Sequence, residues 1–143
     1  MAKANKLVLG KRPEFFSRTV TFPMVEGGDG CMVVEFIYRT RKEHAKFVDG
    51  IQAAAEAKAK AETERYQKAA DAGELPPNLK QADLVAYQIE ANVSTIMDSV
   101  KGWNLDIPFD REAVEQLVDE LPAAVMAIIS AYREAIVEGR LGN

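Results

Sequence analysis

The first third of the chain alternates polar and apolar residues with the period of β-strands. Val20 and Phe22 alternate with threonines, and Pro23 limits this strand to an end or an edge because proline cannot donate to a ladder. Residues 26–30, Glu-Gly-Gly-Asp-Gly, have turn composition, since glycine supplies the positive φ angles of reversing hairpins. The pattern predicts a β-hairpin within residues 15–42.

The second predicted strand, residues 31–39, is apolar on both faces. Its side chains divide into Met32, Val34, Phe36 and Tyr38 on one face, and Val33 and Ile37 on the other. A hairpin cannot bury both faces against itself. We therefore expect one face to pack on a helix and the other on a partner or an extra strand, for which residues 6–9, Lys-Leu-Val-Leu, are the candidate. Cys31 is expected to be a small buried hydrophobe rather than a reactive thiol.

Residues 43–73 are predicted to form one long, charged helix. Residues 45–72 are rich in strong helix formers, and their charges recur at i,i+4 spacing. The apolar side chains are few: Phe47, Val48, Ile51 and Tyr66. Such a helix either projects into solvent or packs closely through its alanines, so a solvated face and an interaction arm are both open. Gly73 is the expected stop.

Three further helices are predicted after residue 79. The helix over residues 80–101 carries one apolar stripe: Val85, Ile89, Val93, Ile96, Met97 and Val100. Asp110 is the expected N-cap of the next helix, and Pro122 opens the last one at a position where its missing N–H costs nothing. The residues expected to point inward are Val114, Leu117, Val118, Leu121, Val125, Ile128, Ile129, Tyr132 and Ile136. Gly139 ends the last helix.

These elements predict an α+β fold, with an N-terminal β-hairpin or small antiparallel sheet followed by a mainly α-helical C-terminal part. The expected division is a β segment at 1–42, a charged Ala-rich helix at 43–75, and a helical part at 80–143 that forms one domain with the β segment. A chain of 143 residues is long enough for one such core.

Charge and hydropathy exclude several classes of function. A net charge of −4 argues against binding nucleic acid, although the N-terminal segment is basic, with Lys3, Lys6, Lys11, Arg12 and Arg18. Because there is no apolar run of about 18 residues, no membrane span is predicted. The apolar stretch before Gly10 is too short for a signal peptide. A single cysteine excludes an intrachain disulfide and fits a cytosolic setting.

No pattern of reactive residues predicts catalysis. His44, the only histidine, has no partners at metal-ligand spacing, and a structural or surface role is expected. The glycines at 27, 28 and 30 lack the Gly-Lys-Ser/Thr of a phosphate loop. Asp106 and Asp110 are interpreted as a loop acid and a helix cap rather than an acid/base pair. We predict no catalytic, cofactor or metal site, and no enzyme. Trp103 is expected in a loop between helices, as a plug over their junction or as an exposed binding anchor.

The C-terminal region resembles tail assembly chaperones of long-tailed phages and prophages. Residues 102–105, Gly-Trp-Asn-Leu, match their Gly-Trp-x-Leu/Val motif, and residues 109–117 match the acidic cap and helix that follow it. The aromatic Tyr132 in the last helix and the Gly-containing end at 139–143 are similar as well. The motif match covers residues 98–143, and the Ala-rich segment 53–72 matches least.

The resemblance implies a binding protein without a cofactor. Such chaperones coat the helical tape-measure protein in the host cytoplasm, keep it soluble, help to recruit tail-tube subunits and leave before the virion is finished. The candidate contact residues are Phe36, Tyr38, Phe47, Ile51 and Trp103, and for each the alternative is core packing. Homo-oligomers, as rings or filaments, are expected if the second face of the hairpin pairs between subunits.

The resemblance also implies a ribosomal frameshift near the end of the gene, which yields a minor longer product with a tube-binding domain. Slippage needs a heptamer of the form X XXY YYZ. Leu141, Gly142 and Asn143 can be encoded as CUG GGA AAC, which contains such a heptamer. The sequence therefore permits slippage at these residues, and synonymous codons would abolish it.

Two other functions remain open at this point. One is a minor tail or head–tail completion protein, which would stay in the virion. The other is a small regulator that binds nucleic acid through the basic N-terminal segment, with the salt dependence that such contacts carry.

Overall fold

The computed structural model describes residues 6–74 and 80–139. The elements in chain order are β1 (Phe15–Pro23), β2 (Asp29–Ile37), α1 (Arg41–Asp71), α2 (Gln81–Ser99), β3 (Val100–Trp103), α3 (Arg111–Glu120) and α4 (Pro122–Glu138). Within these residues, three strands form an antiparallel sheet and four helices accompany it, which confirms the predicted α+β class.

The predicted hairpin is confirmed. Strands β1 and β2 pair antiparallel from Phe15 opposite Ile37 to Pro23 opposite Asp29. The turn between them holds Gly27 at φ 99° and Gly28 at φ 74°, which L side chains rarely adopt. The turn glycines therefore set the register of the hairpin.

The third strand differs from the prediction. Strand β3 pairs with β2, with Val34 opposite Trp103 and Phe36 opposite Val100, so the helix predicted to continue to residue 101 ends at Ser99. Val100 is 3% exposed beside the apolar face of β2, and this burial favours a strand over another helical turn. Residues 6–9 form no strand, and Leu9 is 90% exposed.

The sheet buries one face and leaves the other open. Phe16, Val20, Met32 and their neighbours on one face form the core with helices α2, α3 and α4. Cys31 lies on the opposite face and is exposed, so its predicted burial was wrong. The cause is the two-residue period of the strand, which places Cys31 on the face opposite Met32.

Helix ends follow the expected capping chemistry. Asp110 accepts a hydrogen bond from the Ala113 N–H at 2.8 Å, and Gly139 ends α4 at φ 73°. One cap was missed, since α1 begins at Arg41 behind a capping box formed by Thr40 and Glu43. The four-residue Thr-x-x-Glu signal was present in the sequence.

Replacing Asp110 with alanine is expected to lower the free energy of unfolding by about 1 kcal/mol, because the Ala113 N–H loses its acceptor. Urea denaturation followed by circular dichroism measures this loss. Asp119→Ala, an exposed acid near the other end of the same helix, is the matched control and should show no loss. Equal losses in both variants would contradict the capping role.

Helix α1 extends well beyond the core. Its 31 residues span about 46 Å, and His44, in its first turn, is its only buried residue. Across residues 6–74 and 80–139, no helix is both long and apolar enough to cross a membrane. The distal part of α1 contacts α2, through Lys58 with Glu90 and Glu62 with Tyr87.

Candidate partner-binding groove

Helices α1 and α2 lie antiparallel and touch at a few polar points. Lys58 Nζ lies 2.9 Å from Glu90 Oε2, and the Tyr87 hydroxyl donates to Glu62 Oε1 at 3.1 Å. Lys58 also lies 4.2 Å from the centroid of the Tyr87 ring. These contacts join α1 and α2 at a distance from the core. Nearer to the core, a space lies between the two helices.

That space, which we name the α1–α2 groove, has a volume of about 530 Å³. It is lined by Lys46, Phe47, Gly50, Ile51, Ala54, Ala55 and Lys58 of α1 and by Tyr87, Glu90, Ala91, Ser94, Thr95 and Asp98 of α2. Most lining side chains are small or apolar, so the floor of the groove offers apolar surface without filling the space.

Both walls repeat the spacing of a helix-packing seam. Five of the seven lining positions on α1 are 47, 51, 54, 55 and 58, and five of the six on α2 are 87, 91, 94, 95 and 98. The intervals of four, three, one and three are those by which a helix presents one stripe to a neighbouring helix. The groove therefore lies between two helices that each present residues at helix-packing spacing.

Charges in the groove are separated by wall. The charged lining residues of α1 are Lys46 and Lys58, and those of α2 are Glu90 and Asp98. A hydrogen bond and the nearby positive charge of Lys58 lower the pKa of Glu90. One wall is therefore cationic and the other anionic.

Arg39 ties the groove to the core. Its guanidinium donates to the Asp98 carbonyl at 2.8 Å and to the Tyr132 hydroxyl at 2.9 Å. The same group lies 4.2 Å from the centroid of the Phe47 ring, a cation–π arrangement. Arg39 thus fixes the start of α1 against the end of α2.

An aromatic cluster lies beneath this contact, centred on Tyr132. Its ring centroid lies 5.2 Å from that of Phe36, 5.6 Å from His44 and 6.1 Å from Phe47. The Tyr132 hydroxyl donates to the Ile37 carbonyl at 2.9 Å. Burial raises the pKa of Tyr132, so the hydroxyl remains a donor at neutral pH.

The predicted contact residues lie in three different places. Phe47 and Ile51 line the groove together. Phe36 is 0% exposed in the core and presents no surface to a partner in this conformation. Tyr38 is half-buried, with Arg12 5.8 Å from its ring centroid, and is not part of the groove.

Trp103 lies on strand β3 rather than in the predicted loop. It packs edge-on against Phe109 at 5.0 Å and donates from Nε1 to the Ile107 carbonyl at 2.8 Å. It is half-buried against the core, as a plug between β3 and the segment before α3. Residues 141–143, proposed for slippage, lie outside the described residues.

The α2 wall of the groove was missed by sequence reasoning. Tyr87, Ala91, Ser94 and Thr95 are polar or small, so the apolar stripe of α2 was read instead from Val85 to Val100. These four residues recur at intervals of four, three and one, and this helical spacing was the signal available in the sequence. Of that stripe, Val93 and Ile96 are buried, whereas Val85 is 39% exposed.

The groove and its surroundings combine apolar surface with paired and unpaired charges, an arrangement suited to binding. In the described part of the chain, no group of three or more His, Cys, Asp or Glu side chains could hold a metal ion. His44 is 8% exposed, and burial, with the charges of Arg39 and Arg133, lowers its pKa. His44 therefore packs as a neutral ring within the aromatic cluster.

Acidification is expected to destabilise the protein through His44. A lowered pKa in the folded state means that the unfolded chain binds the proton more readily, so stability falls as pH drops below about 6.5. Urea midpoints measured between pH 7.5 and 5.5 should fall, and His44→Leu should flatten that slope because the chain has one histidine. A slope that is unchanged in the variant would contradict this assignment.

A family model described as "Phage tail assembly chaperone" matches residues 1–143, the whole chain. Neither the curated proteins nor the solved structures include a match.

Proposed function

Because the chain belongs to the family of phage tail assembly chaperones, we propose that it binds the tape-measure protein in the host cytoplasm and keeps it soluble during tail morphogenesis. The chain then helps to recruit tail-tube subunits and leaves before the virion is complete. The frameshifted longer product, if the codons at 141–143 permit it, would supply the link to the tube protein.

The observation that carries the proposal is the α1–α2 groove. A tape-measure protein exposes apolar helical stripes before the tube encloses it, and an uncovered stripe promotes aggregation. Phe47 and Ile51 lie in the groove, where such a stripe can be covered. The acidic net charge of −4 supports solubility of the resulting complex.

Two further contact regions are secondary. Tyr38 at the end of the sheet and Trp103 on β3 are each half-buried and retain some accessible surface. The outer face of the sheet, where Val33 is 38% exposed, is the surface through which copies of the chain would pair in an oligomer. Phe36 is buried and offers no contact surface to a partner.

Co-expression tests the proposed function. The tape-measure protein from the same phage genome is produced alone and together with this chain, and its soluble fraction is measured after centrifugation. We expect the tape-measure protein to be soluble only with the chain and to co-purify with it. A tape-measure protein that stays insoluble and unbound would contradict the proposal.

The virion itself distinguishes the main alternative. Mass spectrometry of purified virions should show the tail-tube protein without this chain, since an assembly chaperone leaves the particle. If the chain is present in stoichiometric amount, a minor tail or head–tail completion role replaces the proposed function.

A further inference from the structure

We infer that the α1–α2 groove receives an α-helix whose apolar stripe is flanked by acidic side chains on one side and basic side chains on the other. The inference rests on the proposed function for its natural guest, a segment of the tape-measure protein. Its physical basis is the geometry and charge of the groove.

The shape of the groove favours a helix over an extended segment. From Phe47 to Lys58 the α1 wall is about 16 Å long, which matches three turns of a guest helix. Both walls present the four-and-three spacing that interdigitates with a third helix. An extended strand would need a sheet edge to satisfy its backbone, and the walls of the groove are helical.

Small residues leave room for the guest's larger side chains. Gly50, Ala54 and Ala55 line one wall, and Ala91 and Ser94 line the other. Within a native core such positions would be filled by facing side chains, since protein interiors leave few voids larger than a water molecule. Leucine or methionine side chains of a guest would occupy the space between these walls.

Charge determines what flanks the guest's stripe. Among the described residues, the side chains of Lys46 and Asp98 have no ion-pair or hydrogen-bond partner, whereas Lys58 and Glu90 are paired with each other. Lys46 lies on the α1 wall and Asp98 on the α2 wall, at the end of the groove near Arg39. An acidic residue beside Lys46 and a basic residue beside Asp98 would complete two ion pairs.

This separation of charge also sets the direction of the guest. Turning a bipolar helix end for end exchanges its acidic and basic flanks, so only one orientation matches both walls. A guest with acid on both flanks, or base on both, meets repulsion at one wall in either orientation. The groove therefore selects against single-sign helices.

Three synthetic helical peptides that share one leucine stripe test the inference. One carries glutamates on one flank and lysines on the other, the second has glutamates on both flanks, and the third has lysines on both. Binding to the full chain is measured by fluorescence anisotropy at low salt. We expect the bipolar peptide to bind about fivefold more tightly than either of the others, with the difference shrinking in high salt.

Two single substitutions should switch the preference. Lys46→Glu makes both free charges acidic, so the all-lysine peptide should bind best; Asp98→Lys makes both basic, so the all-glutamate peptide should bind best. Both side chains are exposed, so the fold should be retained, and circular dichroism verifies that. Equal affinity for all three peptides, or a preference that both variants leave unchanged, would overturn the inference.

Failure of the inference differs from failure of the proposed function. If the peptides do not bind but the chain still solubilises the tape-measure protein, the function stands and another surface performs it. If the bipolar peptide binds but the tape-measure protein stays insoluble, the groove has a different helical guest. Dimers in sedimentation that Ile51→Glu dissolves would place a second copy of the chain in the groove and overturn the inference.

Discussion

Tyr132→Ala is expected to lower the free energy of unfolding by about 3–5 kcal/mol, the usual cost of deleting a buried aromatic side chain. The ring is 3% exposed and contacts the rings of Phe16, Phe36, His44 and Phe47. Loss of this ring removes the packing that joins the sheet, α1 and α4. Since small domains are stable by only about 5–15 kcal/mol, the variant should unfold well below the wild-type urea midpoint.

Tyr132→Phe separates packing from hydrogen bonding at the same position. It keeps the ring but removes the hydroxyl that donates to the Ile37 carbonyl and accepts from Arg39. The expected loss is about 1–3 kcal/mol, the cost of leaving a buried polar partner unsatisfied. If the alanine variant lost no more stability than the phenylalanine variant, the aromatic cluster would not be the link between α1 and the core.

Ile51→Glu is expected to abolish capture of the tape-measure protein, with the bound amount at least about tenfold lower than for the wild type. A carboxylate on the groove floor would be buried without a partner against an apolar guest, and that desolvation is costly. Ile51 is half-buried and lies outside the core cluster, so folding should be retained. Pull-down from co-expressing cells measures the effect.

Val48→Glu is the matched control for that variant. Val48 is an aliphatic residue on the same helix, 44% exposed and absent from the groove lining. The same charge placed there should leave capture within about twofold of wild type, since exposed substitutions change little. Equal loss in both variants would point to a general effect of negative charge on α1 rather than to the groove.

Local signals were sufficient to predict most of the fold. The hairpin turn, the Asp110 cap, the start at Pro122 and the stop at Gly139 all depend on backbone chemistry that single residue types provide. The failures involve tertiary context. Val100 fits both the apolar stripe of a helix and the alternation of a strand. Pairing with the edge of β2 selects the strand.

The candidate site was predictable in part. Phe47 and Ile51 stood out because they are the few apolar residues at the start of a charged helix. The facing wall did not, since Ala91, Ser94 and Thr95 become groove-lining residues only when α2 lies beside α1. Phe36 was predicted to contact a partner but is buried. The sequence could not show this, because a strand that is apolar on both faces does not reveal which face the core covers.

Site-specific photocrosslinking tests the central claim most directly. A photoreactive amino acid is placed at Ala54 or Ala91 in the groove, or at Ala59, an exposed residue of α1 outside it, and cells that also produce the tape-measure protein are irradiated. We predict crosslinks to the tape-measure protein from Ala54 and Ala91, with little from Ala59. Crosslinks from Ala59 alone, or from none of the three while the complex still forms, would contradict it.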